Sequence, residues 1–125
     1  MKPATKKSSP DHPISITPNP HRIRVVLGGF IIAETTEALA LHEATLPVVQ
    51  YIPRKDVRMD LLDKTGRHTN CPYKGDATYY TASAGGLVRS DAAWSYEKPQ
   101  ASVAAIAGYI AFYPEKVDAI EEFKD

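Results

Sequence analysis

The chain has 125 residues and a mass of 13.7 kDa, and 43% of its residues are apolar, which suits one domain around a single core and is too little for two. Fifteen Lys and Arg balance fifteen Asp and Glu. That balance argues against the broad basic face of a nucleic-acid binder and against an acidic disordered chain.

Five of the ten prolines fall within the first twenty residues, where they fix φ and remove backbone donors. Residues 1–11, rich in Lys, Ser and Pro, read as a flexible tail, and residues 12–125 as one domain. No apolar run of the kind a secretory signal needs stands in residues 1–10. Ile14, Ser15, Ile16 and Thr17 alternate apolar with polar, so an extended arm that adds to a sheet edge is expected after the tail.

From His21 onward the period is two. Ile23, Val25 and Leu27 point one way, Arg22 and Arg24 the other, and Gly28-Gly29 divides this run from Phe30-Ile31-Ile32-Ala33 as the turn of a hairpin. Residues 37–43 suit either a short helix or a strand, and with 48–52 close behind them strands are expected on either side of Pro47. Val57, Leu61 and Leu62 suit one or two helical turns after Pro53, with Asp56 as the cap. Thr65-Gly66-Arg67 reads as a turn, Thr78 to Ser83 as a strand, and Ala84-Gly85-Gly86 as a second glycine turn. Strands follow at 87–89 and 93–96, with a break at Ser90-Asp91. A helical turn is expected at 103–107, a strand at 109–113, and either a strand or a frayed helix in the acidic end after Glu115. The longest uncharged stretch, Ala101 to Tyr113, is shorter than the ~18 residues of a spanning helix, so no membrane segment is expected. Many short β segments divided by Gly and Pro predict a mainly β fold, a single antiparallel barrel or sandwich-like domain with two or three short helices.

Cys71 is the only cysteine. It excludes an internal disulfide and a Cys-rich zinc site, and a reducing, cytoplasmic location is its simplest reading. Four scattered histidines form no metal motif, and no metal or cofactor is expected. The richest polar and aromatic stretches are Tyr51 to Arg58 and His68 to Tyr80. Arg54 offers a planar fork and Lys74 a point charge, the usual pair for a phosphate or carboxylate. Tyr51, Tyr79, Trp94 and Tyr96 supply rings that could stack on a ligand. The rival reading is structural: Arg54 pairs with Asp56 or Glu43, Lys74 is solvated, and the rings only pack. Cys71 next to Pro72 is a nucleophile only if a neighbour such as Lys74 or His68 lowers its pKa, with Asp76 as a third member. Otherwise it is a small buried apolar side chain.

Five ordered motifs carry a resemblance: Tyr-Ile-Pro-Arg-Lys-Asp-Val at 51–57, Cys-Pro-Tyr-Lys-Gly at 71–75, Ala-Thr-Tyr-Tyr at 77–80, Ala-Trp-Ser-Tyr at 93–96 and Ile-Ala-Gly-Tyr-Ile-Ala-Phe-Tyr at 106–113. Over residues 12–123 the chain resembles the bacterial and plant domain of unknown function 427 family. The resemblance implies a compact β domain with Glu43, Tyr51, Arg54, Asp56, Cys71, Lys74, Tyr79, Trp94 and Tyr96 about one site. It implies no activity. The nucleotidyltransferase label sometimes attached to the family has no phosphate loop or paired-aspartate motif here to support it. The chain departs from the family pattern at Asn70, where His is expected before the Cys-Pro pair.

Three functions follow. The first is a pocket for a small anionic or nucleotide-like molecule, with Arg54 and Lys74 on the anion and Tyr51, Tyr79, Trp94 and Tyr96 as walls. The second is an enzyme of group transfer or thiol chemistry, its catalytic candidates being Glu43, Asp56, Cys71 and Lys74. The third is an interaction module that exchanges the arm at 13–20. No nucleic-acid or membrane partner is expected, and monomer and homodimer stay open.

Overall fold

The computed structural model describes residues 12–124, and the expected tail lies outside them. In chain order the strands are β1 (Ile14–Asn19), β2 (Arg22–Leu27), β3 (Phe30–Thr35), β4 (Ala38–Glu43), β5 (Val49–Tyr51), β6 (Leu62–Cys71), β7 (Gly75–Ala84), β8 (Leu87–Ser95), β9 (Ala111–Phe112) and β10 (Ala119–Phe123). They form three antiparallel sheets, ordered β1-β4-β5, β10-β2-β3 and β6-β7-β8-β9. Among the described residues the sheets do not close into a barrel. The described residues also hold four short 3-10 helices, and no described helix is long and apolar enough to cross a membrane.

The period-two pattern of β2 is realised as expected. Ile23, Val25 and Leu27 are completely buried, each contributing about 1.5–3 kcal/mol, while Arg24 on the other face bonds Glu34 of β3 at 2.9 Å. The arm is strand β1, an edge strand paired with β4 from Ile14 opposite Glu43 to Asn19 opposite Ala38. Residues 38–43 are strand rather than helix because their alternate side chains enter a core while their backbone is paired on both sides.

Two apolar cores result. One gathers Leu27, Ile32, Ile52, Ala82 and Ile110. The other gathers Leu41, Tyr51, Tyr79, Trp94 and Ile106.

Several expected boundaries are corrected. Thr65-Gly66-Arg67 is not a turn: β6 runs through it, and the register against β7 shifts between Lys64 and His68, so these residues form a bulge. Likewise β8 is one strand, with Asp91 at φ 51° absorbing a second register shift. The two bulges meet across β7, where the Thr65 hydroxyl donates to Asp91 at 2.8 Å. The strand expected at 109–113 shrinks to β9, preceded by a single bridge between Ile52 and Ile110. The helical turns after Pro53 are present, but Asp56 caps neither of them. Its carboxylate accepts from the Thr35 hydroxyl at 2.7 Å instead. The acidic end is a strand, β10, paired with β2.

Both glycine turns form as expected, with φ of 60° and 82° at Gly28 and Gly29 and of 57° and 81° at Gly85 and Gly86. The tips touch. A Cβ on Gly85 would lie 2.0 Å from the Gly28 carbonyl oxygen, whereas one on Gly86 would meet nothing within 4 Å. Gly86→Ala is therefore expected to cost only the strain of a positive φ, about 1–2 kcal/mol. Gly85→Ala adds a backbone clash and is expected to cost about 3 kcal/mol or more. Urea unfolding of the two variants side by side checks the difference.

Candidate functional site

The Cys-Pro-Tyr-Lys-Gly motif is the connection between β6 and β7. The Lys74 amide donates to the Cys71 carbonyl at 3.2 Å and closes the turn, and Gly75 supplies a φ of 118° that side-chain-bearing residues resist. Gln100 braces it from outside. Its amide nitrogen donates to the Lys74 carbonyl at 2.9 Å, and its side chain donates to the Pro72 carbonyl at 2.6 Å. The braced turn sends the Lys74 side chain inward.

There it meets Glu43 at the end of β4. Both residues are only 8% exposed, and the Lys74 ammonium donates to Glu43 Oε1. His12 Nε2 bonds the other carboxylate oxygen at 2.8 Å, and the His12 ring stacks on Tyr73 with centroids 3.8 Å apart. Burial alone would raise the Glu43 pKa. The hydrogen bonds from Lys74 and His12, with their charges, outweigh it and hold the carboxyl below its ordinary 4.5. The structural alternative of a solvated Lys74 is thus not the one realised.

An aromatic wall adjoins this pair. Trp94 Nε1 donates to the Tyr51 hydroxyl at 3.2 Å, and the two rings meet edge to face at 6.2 Å. Tyr113 lies 4.4 Å from Trp94 and runs parallel to Tyr79. Tyr96 sits under the Lys74 ammonium, 5.9 Å from its ring centre. Desolvation pushes the Tyr51 and Tyr96 phenols far above their ordinary value. Tyr113 is pushed up to about 12 by burial and by the bond it makes to Tyr79.

Of the residues expected at one site, Glu43, Tyr51, Cys71, Lys74, Tyr79, Trp94 and Tyr96 come together around the second core. Arg54 and Asp56 do not join them. Arg54 donates to the Gly108 carbonyl at 2.7 Å and to the Tyr80 hydroxyl at 3.1 Å, and its carboxylate partner is Glu97 rather than Asp56 or Glu43. Asp56 is held by Thr35 and by Lys55. A Cys71-His68-Asp76 arrangement does not form. From His68 to Cys71 the strand is regular and pairs residue by residue with β7, so Cys71 points to the face opposite His68 and Asp76. Asp76 accepts from Asn70 at 2.8 Å. Among the described residues no cluster of His, Cys, Asp and Glu is arranged to hold a metal ion.

A cavity of about 570 Å³ opens where the two cores meet. Ile23 and Val25 of β2 and Ile120 of β10 form one wall. Leu41, Glu43 and Val49 form another, and Trp94, Phe112 and Tyr113 a third. The segment Leu46 to Val48 rims it, with Leu46 and Val48 about half exposed. Val49 and Glu115 enter this lining from outside the five motifs, and Tyr113 closes the fifth motif without having been expected at the site. Their trace in the sequence is an apolar run interrupted by Pro47 and a Tyr-Pro step at 113–114.

Lys74→Met leaves a buried carboxylate with His12 alone and is expected to cost roughly 3 kcal/mol. The double variant Glu43→Leu/Lys74→Met is expected to be less destabilised than the single one. Because the folded pKa of Glu43 is depressed, its contribution is present above about pH 4.5 and is lost as pH falls through the lower folded value. Glu43→Gln should therefore flatten the acid limb of stability against pH, read from urea midpoints at successive pH values.

No curated protein matches the chain significantly. A family model described as Domain of unknown function (DUF427) matches residues 15–122. That span runs from β1 to β10 and takes in the braced turn, the Glu43–Lys74 pair and the aromatic wall, and the chain is accordingly a member of the DUF427 family.

Proposed function

We propose that this chain binds a small, largely apolar molecule in the cavity between its two cores. The observation that carries the reading is the cavity itself: about 570 Å³, walled by aliphatic and aromatic side chains, with buried Glu43 among its lining residues. Ligand sites commonly have this size and this mixture of apolar walls with few polar groups. A site built around Arg54 and Lys74 finds less support, since each cation is engaged by its own carboxylate and neither belongs to the lining. Thiol chemistry finds less support for a similar reason, Cys71 having neither His68 nor Asp76 on its face. The arm proposed for exchange is paired with β4 of its own chain.

Trp94, the single tryptophan, lines the cavity, so its fluorescence reports occupancy. A neutral apolar dye such as Nile red is expected to bind with one-to-one stoichiometry and a Kd on the order of 1–10 μM, changing Trp94 emission. Val49→Phe, which fills the cavity from β5, should weaken binding at least about tenfold while the thermal midpoint stays within a few degrees. Unchanged binding in that variant would place the dye elsewhere and remove the basis for the reading.

A further inference from the structure

Resting on that reading of the cavity as a binding site, we propose that it selects a ligand with a planar apolar body and a protonated amine, and rejects carboxylates and phosphates. Among the described residues the charged side chains of the lining are Glu43 and Glu115, both acidic. Lys74 and His12 each engage one oxygen of Glu43. A carboxylate offers roughly four acceptor positions over its two oxygens, so Glu43 keeps capacity for a donor arriving from the cavity. Glu115 stands exposed at the mouth. Gln50, the neutral polar member of the lining, has its carbonyl oxygen engaged by Asn19 at 3.2 Å.

An anionic head group entering this space would give up water and find no cation in the lining, since Lys74 is held by Glu43 outside it, which is the costly way to bury a charge. A cation meets the reverse. It finds acceptors at Glu43 and Glu115, beside the aromatic side chains of Trp94 and Tyr113 in the same lining. The flat body of the ligand packs against the same aromatic side chains and the aliphatic walls.

The test is a matched set on one skeleton: 4-biphenylmethylamine, 4-biphenylmethanol and 4-biphenylcarboxylate, titrated into the full chain at pH 7 and followed by Trp94 fluorescence and by calorimetry. The amine is expected to bind about tenfold tighter than the alcohol, and the carboxylate more weakly than both. Glu115→Gln, an exposed change, should reduce the amine's advantage over the alcohol, and an undiminished advantage counts against the selectivity. Equal affinity of amine and alcohol, or a carboxylate as tight as the amine, overturns the selectivity and leaves the cavity reading standing. No binding by any of the three overturns both.

Discussion

The pair between Glu43 and Lys74 joins the β1-β4-β5 sheet to the connection between β6 and β7, and the geometry of the second core depends on it. Two charges that are almost wholly buried are tolerated only when each finds its counter-charge and its remaining polar atoms are satisfied. Here the requirement reaches outward through His12, Tyr73 and Gln100. Because an unpartnered charge would be so costly, the pair discriminates against other packings of the turn against β4. The aromatic wall is built on that fixed frame: Tyr51 lies on β5, next to β4 in the sheet, and Tyr96 lies under the ammonium itself.

Much of the fold was legible because β structure writes its pattern locally. The alternation of Ile23, Val25 and Leu27 and the glycine pairs at both hairpin tips depend on near neighbours alone, and each forms as read. Thr65-Gly66-Arg67 misled for a physical reason: the residues that suit a turn also suit a bulge, and which one forms depends on the partner strand. The site was legible in part. Arg54 and Asp56 sit two apart in a 3-10 turn, where side chains diverge, so closeness in sequence did not become a pair. Glu43 and Lys74 were expected about one site, but their pairing has no local signature, since nothing on β4 announces the turn after β6 that it meets.

The cavity follows from the same separation of cores. A sheet buries one face efficiently against another, and close packing normally leaves little space. Three sheets that share no continuous hydrogen-bonded edge leave a seam, and the seam here is lined by residues of both cores. Ile23, Val25, Ile52 and Phe112 face it from the first, Leu41 and Trp94 from the second. The ion pair and the touching hairpin tips, with Gly28 against Gly85, keep the sheets from sliding together to close it.

The pairing of β10 with β2 sets an order of assembly. β2 is the central strand of its sheet, with its hairpin partner β3 on one side and β10, from the far end of the chain, on the other. Hairpins close within microseconds, whereas contacts between distant segments wait on the loss of chain entropy. One edge of β2 thus stays open until the chain has been made through Phe123. Ile120, which completes the cavity wall beside Ile23 and Val25, arrives with that same strand. Closing that edge of β2 and completing this wall of the cavity are one event, and a nascent chain that has not reached it carries an unpaired strand edge available to neighbours.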